Sequence, residues 1–183
     1  MSKNKTKTMT SIAMLTAISV VLSRLFALFY TVEIRLSLGN IPVMFGGIFF
    51  GPFAGGICGL LADFIGCLIK GEAYFPPLAL SPFLVGFIPG IVTKILSGKT
   101  KNGIANIFVL STTIIITNFL TSILWSTYAL SLLIGKGFFI LLPGRAFETA
   151  VQTVIEIVIL FILLNNATVR TFFGMQKTGG KKQ

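Results

Sequence analysis

Six apolar windows, over residues 9–30, 41–51, 52–69, 81–96, 104–124 and 146–165, fill most of this 183-residue chain and leave only short connections between them. A helix crossing a bilayer needs about 20 mostly apolar residues. The windows therefore predict an all-α integral membrane protein, a bundle of six transmembrane helices forming a single membrane domain over residues 1–183, with a basic N-terminal tail (1–8) and a basic C-terminal tail (171–183). The second window is short. It either extends back through Leu38 or forms a tilted or partly broken helix, and Gly51-Pro52 is the natural turn between it and the third. A mean hydropathy of +0.93, five acidic residues and no histidine exclude a water-soluble core.

Lys3, Lys5 and Lys7 ahead of an apolar run over residues 12–22 have the look of a secretory signal. The apolar sequence continues past Arg24 to Tyr30 and offers no convincing small-residue cleavage site, which favours a retained first helix. Cys58 and Cys67 lie nine residues apart in one window, too far along a helix to bridge, and no metal-ligand spacing exists, so they read as packing residues and no cofactor is expected.

Basic residues set the expected orientation. With the N-terminus inside, the cytoplasmic ends and loops collect Lys3, Lys5, Lys7, Lys94, Lys99, Lys101, Arg170, Lys177, Lys181 and Lys182, ten of the 15 cations, and no acid. Arg24, Arg35, Lys70, Lys136 and Arg145 fall on or near the other face with Glu33, Glu72 and Glu148. Both termini are expected in the cytoplasm. The net charge of +10 is then a topology signal plus attraction to anionic lipid, with no folded basic surface for nucleic acid.

The polar interruptions are concentrated. Residues 30–40, 70–80 and 135–145 mix aromatic, charged and Gly/Pro positions on the outer side, whereas the inward turns are short or simply basic. Irregular, charged backbone at membrane depth is tolerated only where protein or a water-filled cavity satisfies it. Three rich loops on one face predict a lid over an outward-facing, solute-sized pocket.

The Ala13-Met-Leu-Thr-Ala17 step, Arg35-x-x-Leu38-Gly39-Asn40-Ile41-Pro42, Gly51-Pro52-x-x-Gly55, Asp63-x-x-Gly66 and Gly71-x-x-Tyr74-Phe75-Pro76, set in six short spans, resemble the S components of energy-coupling factor (ECF) vitamin transporters. The pattern is most similar to the folate-specific members, with thiamine, riboflavin and other vitamin binders sharing the general plan. Pro76-Pro77 departs from the Pro-Gly usual in the family. The resemblance implies a high-affinity folate-binding subunit that captures vitamin outside and passes it inward, docked on a transmembrane coupling protein of the EcfT type and two cytoplasmic ATPases. It implies no enzyme activity, and the chain has neither a Gly-x-x-x-x-Gly-Lys-Ser/Thr loop nor a catalytic dyad.

The chemistry of a folate can be set against the residues. Its pterin edge presents paired donors that a buried carboxylate accepts, and its flat ring asks for aromatic or apolar walls. Asp63 is the first candidate for the donor pair, opening onto Tyr74 and Phe75; an ion pair with Arg24 is the structural alternative, and Glu156 a deeper competitor that could instead serve a bond between helices. The glutamate tail would want cations, for which Arg35 and Arg145 have a fixed fork of donors and Lys70 and Lys136 are more solvated alternatives that could simply snorkel. Arg24, Asn40, Asn118, Trp125 and Glu148 complete the candidate ligand-binding set. Asn118 requires either ligand or a neighbouring helix, while Trp125 and Tyr128 could form an aromatic belt.

Ala13 and Ala17 lie four residues apart on one helical face, where small side chains allow a second helix to come close. The resemblance implies docking on the coupling protein, with packing inside the bundle as the alternative. A small membrane channel is the rival function. It would need a polar stripe through the full depth of the bundle, whereas here the polar residues crowd the outer half.

Overall fold

Gly51 and Pro52 organise the first turn of the bundle. Gly51 adopts φ 98°, a conformation closed to most side chains, and Pro52 opens the next helix where its missing N–H costs nothing. A computed structural model describes residues 3–25, 38–71, 76–97, 107–135 and 138–165. Across these the fold is all-helical: α1 (Lys3–Leu25), α2 (Asn40–Phe50), α3 (Pro52–Lys70), α4 (Pro76–Ser97), α5 and α6 (Phe138–Asn165). α5 is α-helical over Ile107–Asn118, π-helical over Phe119–Ser126 and α-helical again over Thr127–Ile134. Among the described residues four helices are long and apolar enough to cross a bilayer, and α1 and α2 add the shorter apolar stretches Thr8–Ser23 and Asn40–Phe50.

The sequence windows locate all six helices but misplace several ends. The fourth helix starts at Pro76 rather than 81, the fifth runs on to Ile134 rather than stopping at 124, and the sixth starts at Phe138 rather than 146. Prolines mislead here. Pro76 and Pro77 sit in a first turn, where no helical hydrogen bond is lost, while Pro82, Pro89 and Pro143 lie inside helices. Residues 76–80 and 138–145, expected in lid loops, are therefore helical.

α2 is the hub. Its residues Ile41 to Ile48 are all buried, so it is apolar around its whole circumference and shows no one-sided periodicity. Met44, Phe45 and Ile48 join Leu15 of α1, Cys58 of α3, Val85 of α4, Leu110 and Ile114 of α5 and Leu160 of α6 in one core. Beside this core, α2, α3 and α4 meet along glycines. A Cβ on Gly86 would run into the Gly55 backbone, one on Gly47 into the Gly86 carbonyl, and one on Gly90 would lie 2.7 Å from Pro52 Cα. Backbones this close gain dispersion contacts that larger side chains would prevent, the association mode available to helices in lipid. On the outside, Phe53, Leu68, Phe108, Phe139 and Ile140 are exposed and form an apolar surface suited to acyl chains.

Candidate ligand-binding site

The N-terminus of α2 and the π-helical stretch of α5 shape a cavity of about 220 Å³ among all six helices. Ser19 of α1 donates to the Gly39 carbonyl at 2.6 Å, fixing the turn that presents Asn40. Eight π-helical residues are unusual, since π geometry mostly occurs as single-turn bulges at functional sites, and Ser122 and Ser126 of this stretch both line the cavity. Thr127 donates to the Ser122 carbonyl at 3.0 Å and steadies the return to α-helix. On α4, Leu78 and Pro82 line the wall together. Pro82 has no N–H to offer the Leu78 carbonyl, so this turn carries an acceptor outside the helical ladder.

Charged groups converge on the same space. Asp63 of α3 and Arg145 and Glu148 of α6 line it, with Asn40 and Gln152. Arg145 Nη1 lies 3.8 Å from Glu148 Oε2, with side-chain exposures of only 15% and 5%. Such an ion pair at membrane depth is costly to assemble and characteristic of functional sites.

Behind the cavity wall stands a carboxylate that water does not reach. Glu156 is fully buried and accepts from Asn118 Nδ2 at 2.7 Å and Gln152 Nε2 at 3.0 Å, and it also hydrogen-bonds the Asn40 side chain. Asn118 additionally donates to Thr153 Oγ1 at 2.9 Å, and the Thr153 hydroxyl donates to the Thr149 carbonyl at 2.6 Å. Asn118 thus finds its partners on α6, and Glu156 ties α2, α5 and α6 together. The i,i+4 spacing of Gln152 and Glu156 is a signal the sequence carries and its reading passed over; the amides of Asn40 and Asn118 come from segments that spacing does not connect.

The remaining candidates are scattered. Trp125 Nε1 donates to the Pro77 carbonyl at 2.9 Å, pinning the π-helical stretch to the first turn of α4, and its ring lies 6.4 Å from that of exposed Tyr128. Ala13 and Ala17 sit on the exposed face of α1 with Met14, Ile18 and Val21 rather than inside the bundle. Arg35, Tyr74, Phe75 and Lys136 lie outside the described residues, as do the side chains of Arg24 and Lys70. Ser23, Ser81, Ser122 and Ser126 line the cavity without having been singled out in the sequence, because a serine in an apolar helix satisfies itself on its own backbone as readily as it meets a ligand.

A six-helix membrane bundle with a charged, partly open cavity between its helices is the architecture of a solute-binding transport subunit. The profile of the family "ECF transporter, substrate-specific component" matches residues 7–164, and the chain belongs to that family. It is 28% identical over 159 residues to the folate transporter FolT of Clostridium novyi (strain NT), covering 86% of this chain and 87% of that protein. Among solved structures, FolT bound with folic acid superposes with a TM-score of 0.75 at 28% identity, over 92% of this chain and 97% of its own. The S component of a bacterial ECF transporter shares the fold, with a TM-score of 0.60 at 24% identity over 88% of this chain and 97% of its own.

Proposed function

We propose that this chain is the folate-binding S component of an ECF transporter, capturing folate on the outer side and delivering it inward with a transmembrane coupling protein of the EcfT type and two ATPases. The convergence of Asp63, Arg145, Asn40 and Glu148 on one cavity between the helices carries this reading. The likeness to FolT with folic acid bound supports it. A cavity of 220 Å³ is smaller than the roughly 300–1,000 Å³ of pockets for drug-sized ligands. It suits the flat pterin head, leaving the glutamate tail towards the outer opening.

In this arrangement Asp63 accepts the paired donors of the pterin, and Arg145 serves the ligand's acceptors while Glu148 holds its guanidinium in place. Arg24, Arg35 and Lys70 supply positive charge for the ligand, and Tyr74 and Phe75 cover the ring. Trp125 supports the site by holding the start of α4. Ala13 and Ala17 form the docking step for the coupling protein. Both termini face the cytoplasm, which reporter fusions at either end check: activity of a periplasm-dependent or surface-dependent reporter at a terminus contradicts it.

Calorimetry on the detergent-solubilised protein with folate, thiamine and riboflavin tests the ligand. Folate should bind at nanomolar strength, about −12 kcal/mol. Tight binding of another of these vitamins with none for folate would sink the assignment.

A further inference from the structure

Glu156 does not line the cavity, yet two of the side chains that do are bonded to it. Gln152 gives its amide nitrogen to Glu156 Oε1 at 3.0 Å, and Asn40 hydrogen-bonds the same carboxylate from α2. A carboxylate can only accept, whereas an amide has a donating NH₂ end and an accepting carbonyl end. Amides that meet a carboxylate must therefore turn their nitrogens to it. Their oxygens are then left for other partners, and Asn40 and Gln152 both line the cavity.

We propose that Glu156 is a positioning residue that locks the amides of Asn40 and Gln152 with their carbonyl oxygens towards the cavity, making that wall an acceptor surface selective for a ligand edge rich in N–H donors. Asn118 completes the arrangement from α5 by donating to the other carboxylate oxygen at 2.7 Å, so each oxygen of Glu156 is held in place. The inference rests on the folate reading for the identity of that edge. An amino-pyrimidinone carries three N–H donors on one side: a carboxylate such as Asp63 takes two in a parallel pair, and the third needs a neutral acceptor. An amide carbonyl held in one orientation provides it, and an amide free to flip does so only part of the time.

The test compares folic acid with its 2-desamino counterpart, which lacks the amino donors, on full-length wild type, Glu156→Gln and Gln152→Met in detergent. Binding of folic acid to the wild type judges the folate reading by itself; the ratio between the two ligands judges Glu156. Replacing Glu156 by Gln keeps the volume but supplies a group that can donate or accept, releasing both amides. Its preference for folic acid over the 2-desamino ligand should fall about tenfold, the size of one lost hydrogen bond to a buried group. Gln152→Met is near-isosteric at a half-buried position and should move the same ratio in the same direction while leaving Glu156 in place. If each variant weakens both ligands by the same factor, or leaves the ratio at its wild-type value, Glu156 only holds helices together and the proposal fails.

Discussion

Asp63 shows how far a single residue could be read without the fold. An acid inside an apolar window requires a partner, and it does face the cavity that Arg145 and Glu148 share. Glu156 was harder. From the sequence it is a deeper competitor to Asp63 or a bond between helices, because the amides of Asn40 and Asn118 that bond it are over 30 residues distant and reach it only through packing. If Asp63 meets the pterin, Asp63→Asn should lower folate affinity by roughly 2–4 kcal/mol, since a charge-assisted pair is lost and ligand donors are left unsatisfied. Its melting temperature should stay near wild type. Isothermal titration together with thermal unfolding checks this, and a folded variant of unchanged affinity would return Asp63 to the ion pair with Arg24.

At the scale of helices, hydropathy located every element and proline obscured their ends. Residues 138–145 looked like loop because of Pro143 and Gly144, yet they are the first two turns of α6 and carry Arg145. The π-helical stretch of α5 has no signature of composition at all; Thr113 and Thr117 in the α-helical part before it and Thr121 within it each bond the carbonyl four residues back, as they would in any buried helix. The same bonds argue against a conducting stripe, because these hydroxyls are satisfied within their own helix. Two glycines make a matched pair for thermal unfolding. Gly86→Ala would push a methyl into the Gly55 backbone and should destabilise by about 1–3 kcal/mol or more. Gly144→Ala meets nothing within 4 Å in a helix and should be neutral or stabilise by about 0.5–1 kcal/mol. On α1, Trp in place of Ala13 or Ala17 adds bulk to an outer face, so vitamin uptake by cells carrying the whole transporter should fall while the purified variant keeps its affinity. Normal uptake would remove this step from the docking surface, and lost affinity would mean that the face supports the pocket.

For the whole molecule, the short central helix has a consequence for how the protein enters the membrane. The 11 residues of α2 rise about 1.5 Å each, and the resulting rod covers roughly half of a hydrocarbon layer about 30 Å thick. Lipid cannot satisfy its ends, and α1, α3 and α4 pack around it instead, with Ser19 of α1 bonding the Gly39 carbonyl at its start. Insertion must therefore be an act of the hairpin with α3 rather than of α2 by itself, and the segment should wait at the translocation channel until residues 52–70 have been made. An insertion assay in a carrier protein checks the order, with residues 40–50 expected to remain unintegrated and residues 40–70 to integrate. Efficient integration of the shorter segment would show that α2 finds the bilayer without its neighbours. On the expected outcome, a helix that hydropathy counts as one span among six is, during biosynthesis, cargo delivered by the helix that follows it.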